Sequence, residues 1–302
     1  MPTTQPALPG DDAPDPREKV MGFFDHLEEM RWVIVKCAIA LVIGAALVGG
    51  FITKFNAFVL GPLNDVKAEY TEKAVAEARA AAGKEGRADA VVVAHPSFEV
   101  DLGTTSLAES FTVIVQIVCM GGAVLAAPFM LWFIGCFISP ALNERERRLA
   151  APVLAAATAL FLSGAAFGFF ILVPNTIRMS IEINEMLGFV MRWTPSSYYS
   201  LLLWLVLGVG LTFEFPLLVL AAIAIGALRV ETLRRYRRHA IVVIFILAAI
   251  ITPTIDPVSQ LLFAAPLYGL YELSLLVGGR LQKKRDLRER AEHDALDDLS
   301  KA

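Results

Sequence analysis

The chain has 302 residues, 56% hydrophobic and 19% charged, with a net charge of −3 and a mean hydropathy of +0.59. A water-soluble domain of that composition would expose far too much apolar surface. The net charge says little about partners, whereas its distribution along the chain says a good deal.

Residues 1–20 hold five prolines and mixed charge with no apolar period, and they read as a disordered tail. They lack the basic start and apolar core of a cleavable signal, so the first apolar stretch is expected to stay as a helix. From Phe23 the pattern changes. Phe23, Phe24, Leu27, Met30 and Ile34 share one helical face beside Asp25, Glu28 and Glu29. That spacing predicts an amphipathic helix lying at the membrane interface and feeding the first span.

A span needs about 20 apolar residues, since a helix rises ~1.5 Å per residue and the hydrocarbon core is ~30 Å thick. Six stretches qualify as candidates: 32–53, 110–138, 150–173, 197–228, 240–252 and 258–278. The fifth is short, so it continues through polar flanks or the membrane thins there. Backbone groups in lipid must be bonded internally, and continuous apolar runs fit helices rather than barrel strands. The predicted fold is an all-α membrane protein: a concave bundle of six transmembrane helices with proline-bent spans and two short C-terminal spans. The spans form one domain over residues 21–278, followed by a charged tail at 279–302. The bends are expected at Pro128, Pro174, Pro216 and Pro266.

Between spans one and two lies a long insertion, about 54–109. An Ala-rich stretch at 66–82 predicts a helix, with Glu69–Lys73 as an i,i+4 pair and Gly83 as its stop. Val91–Val93 reads as a short strand. Arginines cluster between spans two and three (Arg145, Arg147, Arg148), between spans four and five (Arg229 to Arg238), and after span six. The link from Pro253 to Pro257 has no Lys or Arg. Both termini are therefore expected in the cytoplasm. The 54–109 loop, with six basic and nine acidic residues, runs against the rule, but the rule is weakest for long loops.

Several polar groups interrupt this pattern. Glu214 lies in the segment Leu211 to Pro216 of an otherwise lipid-like stretch. A charge at bilayer depth costs ~2.5–3.5 kcal/mol on lenient scales. Three readings are open for it: a protonated, hydrogen-bonded core acid, a group facing a polar cavity, or a binder of a cationic or polar guest. Pro216 also frees the carbonyl of Thr212. The segment His26 to Arg31 reads by itself as a solvated helix end, and Asn143 to Arg148 as topology anchors. Together they put carboxylates on one membrane face beside apolar surface. Gln260 is suited to bonding a neighbouring helix, Glu272 to lying near the cytoplasmic headgroups, and Asp256 to a rigid turn on the far side. Cys37, Cys119 and Cys136 lie in apolar spans without metal or redox spacing and read as small buried hydrophobes. The metalloprotease, nucleotide-loop and serine-hydrolase motifs are missing, so neither an enzyme nor a metal or other cofactor is expected. An ion-coupled transporter using Glu214 is an alternative, although the lack of an internal repeat weighs against it.

Taken in order, these pieces resemble a known family. His26 to Arg31, Pro62-Leu63, Glu109-Ser110-Phe111, Pro140 to Arg148, Phe213 to Pro216 and Thr252 to Gln260 are similar to the motifs of TatC, the integral-membrane receptor subunit of the twin-arginine translocase. Two departures stand out: a longer first extracytoplasmic loop, and Ile255 where many members have Pro. The resemblance implies an inner-membrane protein that binds twin-arginine signal peptides of folded cargo at the cytoplasmic face. It implies small single-span partners of the TatA and TatB type, self-association in a multimeric receptor complex, a drive from the proton-motive force, and no nucleic-acid partner. It implies signal recognition by Glu29 and Glu146, with His26, Arg31 and Arg147 beside them. It also implies intramembrane or partner-contact roles for Glu214, Pro216 and Gln260, and extracytoplasmic structural roles for Pro62 and Asp256.

Overall fold

The computed structural model describes residues 23–84, 102–104, 106–138, 144–189, 193–224, 226–252 and 256–301. Among the described residues all regular structure is helical. The N-terminal tail, the expected strand at Val91–Val93 and the turn from Pro253 to Ile255 lie outside them.

The first crossing is α1 (Phe23–Gly50). The expected interfacial helix is not a separate element, because no Gly or Pro interrupts the chain between Phe23 and Ile43 and the helical ladder simply runs on. Leu27, Met30 and Ile34 are exposed on it. The chain then turns through α2 (Ile52–Val59) into α3 (Gly61–Lys84). The Ala-rich helix thus starts five residues earlier than the sequence suggests, with Pro62 in its first turn, where a missing N–H costs no bond. Pro62 is buried there.

The second crossing is α4 (Leu107–Ile138), which contains Pro128. The third crossing does not stop at Pro174. It comprises α5 (Glu144–Phe167), a π turn (Gly168–Leu172) and α6 (Val173–Leu187). The π turn adds a residue to the ladder just ahead of Pro174, where proline would strip an α-helix of its bond anyway. α6 ends on Gly188 in the left-handed conformation, φ 70°, as a glycine C-cap does. The fourth crossing is split into α7 (Pro195–Thr212) and α8 (Phe215–Ala224). A short α9 (Val230–Arg235) leads to the fifth crossing, α10 (Arg237–Ile251), of 15 residues. At ~1.5 Å per residue α10 is about 22 Å long, short of the hydrocarbon core. The other five crossings have the length and apolar composition to span a membrane. The sixth belongs to α11 (Pro257–Lys301), whose helix continues through the charged tail.

Neighbouring crossings run antiparallel. Gly44 of α1 meets Gly122 of α4, and Gly49 meets Val118. Gly164 and Gly168 of the third crossing face Phe213 and Leu205 of the fourth. Gln260 of α11 donates to the carbonyl of Phe245 in α10 at 2.9 Å, and Arg237 pairs with Glu272 at 2.7 Å. The bundle therefore has one end holding the start of α1, the end of α4 and the starts of α5 and α10, called here the Glu29 end. The other, the Asp256 end, holds α2, α3 and the starts of α4, α7 and α11.

The core centres on α7, whose Leu202, Leu205 and Val209 are fully buried. Around it the Asp256 end is tied by polar contacts. Tyr198 donates to the Val59 carbonyl at 2.8 Å, and Tyr199 to the Asn56 side chain. Asn175 bonds Ser259 at 2.7 Å. α3 docks on α6 through Arg178 and Glu69, 3.0 Å apart, with Lys73 at 2.9 Å from the same carboxylate.

Two outcomes follow. A Cβ on Gly122 would lie 2.7 Å from the Ala45 backbone nitrogen, whereas one on Gly208 would meet only Ile251, at 3.6 Å. Gly122→Ala is expected to cost about 1–3 kcal/mol in detergent unfolding, the range for overpacking, and Gly208→Ala to leave the transition in place or raise it. Lys73 and Arg178 hold the Glu69 carboxyl below its ordinary range. A depressed carboxyl stabilises the docked state above its unfolded value, about 4.3, and the contribution disappears as pH falls through the folded value. Amide protection factors across α3 should thus be steady at neutral pH and decline only below about pH 4, while Glu69→Gln should show the reduced protection at pH 7.

Candidate functional site: a carboxylate-rimmed groove at the Glu29 end

α1 and α4 touch through glycines and alanine at mid-length but carry large side chains towards the Glu29 end. Trp32 and Val33 of α1 face Trp132, Phe133 and Phe137 of α4 across a cavity of about 470 Å³. Glu29 and Lys36 line the same cavity. On α1, Glu29, Trp32, Val33 and Lys36 fall at i, i+3, i+4 and i+7, one helical face. The groove thus combines aromatic walls with a half-buried carboxylate.

Arg31, two residues from Glu29, is exposed and projects from a different part of the helix. His26 lies in the first turn of α1, and Glu146 and Arg147 in the first turn of α5. The side chains of these three are outside the described residues. Their backbones belong to the same end. Ile138 ends α4 beside the groove and Glu144 starts α5, six residue steps later, at most about 21 Å away. An acid in the first turn of α5 is also favoured by the helix dipole.

Glu214 occupies the break between α7 and α8. Its own N–H bonds Leu211 at 3.1 Å in a tightened turn, and its carbonyl starts the α8 ladder by accepting from Leu217 and Leu218. The break precedes Pro216, which is buried. Phe213 packs on Gly164 and on the Phe167 ring, 5.9 Å between centroids. One Glu214 carboxyl oxygen is fully buried and has no hydrogen-bond partner. Thr212, the nearest hydroxyl in sequence, instead donates to Gly208. Of the three readings open for Glu214, the self-satisfied core acid is thus disfavoured.

The far end holds the other polar residues. Asp256 caps α11 by accepting from the Ser259 N–H at 2.6 Å, with Pro257 at the first helical position. Gln260 bonds α10, as the sequence suggests. Glu272 accepts from Tyr268 and Arg237, so it lies by the start of α10, at the Glu29 end.

Sequence reasoning missed the aromatic pair Trp32 and Trp132, together with Lys36. For Lys36 the signal was present: its seven-residue spacing from Glu29 keeps one face. Trp132 lies a hundred residues away, and only the antiparallel register joins it to α1. Also missed was the role of Glu109. Buried at the start of α4, its carboxylate accepts from the Ser196 N–H at 3.3 Å and the Ser196 hydroxyl at 3.0 Å. The second crossing thereby caps the fourth.

Comparison with known proteins gives a consistent picture. Residues 25–266 match the family model described as Sec-independent protein translocase protein (TatC). The Sec-independent protein translocase protein TatC of Carboxydothermus hydrogenoformans is 30% identical, over 90% of this chain and 99% of that protein. The TatC of Akkermansia muciniphila is 34% identical over 61% of this chain, but the match spans only 53% of its own length. Among solved structures, the crystal structure of the twin arginine translocase receptor TatC in DDM superposes with a TM-score of 0.64 at 28% identity. It covers 84% of this chain and 99% of that one. With a matching family model over most of its length, a shared fold and a 30% identical relative aligned over nearly its whole length, this chain belongs to the TatC family of multi-pass Sec-independent protein translocase components.

Proposed function

We propose that this chain is the receptor subunit that reads twin-arginine signal peptides at the cytoplasmic face, with the Glu29 end in the cytoplasm of an inner-membrane protein. The observation that carries this reading is the groove between the first two crossings: a carboxylate at its rim, aromatic walls below it, and a second acid-bearing helix start at the same end.

The chemistry suits two arginines followed by an apolar stretch. A guanidinium meets a carboxylate through two parallel hydrogen bonds, while an ammonium offers only a point charge. Each charge-assisted bond contributes ~1.5–3 kcal/mol when shielded and less in open solvent. Two such pairs do not make tight binding. Burying the apolar segment against Trp32, Trp132 and Phe133 adds ~25 cal/mol per Å² removed from water. Apolar contact thus supplies affinity, and Glu29 with Glu146 supplies the choice of Arg over Lys. His26, Arg31 and Arg147 complete the charged set at this end in this reading. TatA- and TatB-type single-span subunits are the partners in this reading, with the proton-motive force as the drive and further copies of this chain in the receptor complex. Glu214, beside the break before Pro216, offers its buried carboxyl oxygen to a polar group on a partner span. Gln260, Asp256 and Pro62 keep the far end in shape.

Export of a folded twin-arginine reporter by cells lacking their own receptor subunit tests the whole reading. The wild-type chain should restore export of a twin-Arg reporter and not of a twin-Lys one. Glu146→Gln and Glu29→Gln should each narrow that preference by about tenfold, the equivalent of one weakened charged bond. Full discrimination in both variants would remove the acids from the mechanism. Glu214→Gln should insert normally and change the mobility of the assembled complex on native gels. An unaltered complex with unaltered export would instead assign Glu214 to structure alone.

A further inference from the structure

A second cavity lies at the opposite end, between α6 and α7, with a volume of about 430 Å³. That is within the size range of small-ligand sites. Thr176 and Ser180 of α6 line one wall, and Ser197, Ser200 and Trp204 of α7 the other, with Trp193 at the mouth. On α6 the two hydroxyl residues are four apart. On α7 the three positions are three and four apart. Each helix therefore turns two hydroxyls into a gap whose remaining lining is mainly apolar. A hydrocarbon-depth helix face normally carries apolar side chains, and leucines at these positions would close the gap.

Thr176 is the telling residue. It is 4% exposed, its hydroxyl oxygen is buried, and that oxygen has no hydrogen-bond partner. A buried hydroxyl without a partner is costly, so such groups are rare in folded proteins. The Ser200 hydroxyl accepts from the Gln116 amide at 2.7 Å, which leaves its proton to donate elsewhere. Hydroxyls that both donate and accept, with two tryptophans on the same lining, match a guest that is itself rich in hydroxyls: its O–H groups pair with the serines and threonine, and its C–H faces pack on the indoles. Trp204 and Leu201 lie deeper, about 14 Å along α7 from Pro195 in the case of Trp204, and form an apolar exit. Tryptophan is also the side chain of the headgroup boundary.

We propose that this cavity binds a membrane lipid with an uncharged, hydroxyl-rich headgroup, held among Thr176, Ser180, Ser197 and Ser200, with its acyl chains leaving past Trp204. The site belongs to the leaflet at the Asp256 end and is separate from the Glu29 groove, so it stands or falls independently of signal recognition.

The chain has four tryptophans. In a Trp32→Phe, Trp132→Phe background of the full chain, Trp193 and Trp204 alone report. Reconstitute it in phosphatidylcholine vesicles doped with glucosyl-diacylglycerol, phosphatidylglycerol or phosphatidylethanolamine, each brominated on its acyl chains. Half-maximal quenching should need at least threefold less of the glucosyl lipid than of the other two. Thr176→Val, which keeps the shape, and Ser200→Ala should each erase that preference. Equal quenching by all three lipids would mean only a general lipid annulus, and would overturn the proposal. A preference for phosphatidylglycerol or phosphatidylethanolamine would overturn the assigned chemistry. A glucosyl preference that survives both substitutions would place the lipid elsewhere. The lipid comparison on the parent background decides the matter even if a substituted chain fails to fold.

Discussion

The contact on which the receptor groove depends is the one between Gly44 and Gly122. In lipid there is no hydrophobic force between helices, because the tails are as apolar as leucine. Helices stay together where small residues let their backbones approach and dispersion contacts accumulate. α1 needs this more than any other crossing: only 11% of its span is buried within the chain, and its long partner is α4. A Cβ on Gly44 would lie 2.6 Å from the Gly122 carbonyl oxygen, so the two backbones are nearly in contact. From that pivot the side chains grow towards the Glu29 end, from glycine and alanine to tryptophan and phenylalanine. Two helices fixed at a tight crossing and filled with bulk at one end must splay there. The groove beside Glu29 is the space so produced.

The breaks in the third and fourth crossings have a related logic. A bundle of straight helices buries every backbone group and leaves no polar atom for other molecules. Here the π turn before Pro174 and the interruption before Pro216 lie where the two crossings pack closely. Gly168 approaches the Leu205 backbone, and Gly164 lies under Phe213. The interruption at Phe213 and Glu214 is seated by that packing. A rigid apolar seat therefore carries an acid with one buried oxygen that no group of this chain satisfies.

Much of this was legible because membranes impose strong rules. The six apolar runs and the acid at Glu214 are one-dimensional signals; all six runs form helices, five of them long and apolar enough to cross a membrane. Helix continuity was less legible. Proline at 174 reads as a stop in an α-helix, but a single wide turn absorbs it. The Phe23–Ile34 segment reads as a separate amphipathic element, yet nothing in the local sequence breaks it from α1. Long-range pairings were not legible at all. The meeting of Trp32 with Trp132, the cap of α7 by Glu109 and the Arg178–Glu69 bridge join residues 87 or more positions apart, and no local period encodes a register between helices.

The position of Lys36 sharpens the proposed recognition. It lines the same groove as Glu29 but lies seven residues further along α1, about 10 Å deeper. An incoming segment with cations at its start and apolar residues after them would place guanidinium groups at the acidic rim and its uncharged part beside Lys36. A segment shifted one or two turns inwards would bring its own cations towards that ammonium, in a medium where like charges repel more strongly than in water. In the proposed reading the groove would therefore resist sliding as well as reward contact, and negative selection of this kind sharpens a weak pair of ion contacts. The order acid, aromatic, lysine along one face of α1 fixes a register, and the carboxylates alone would not.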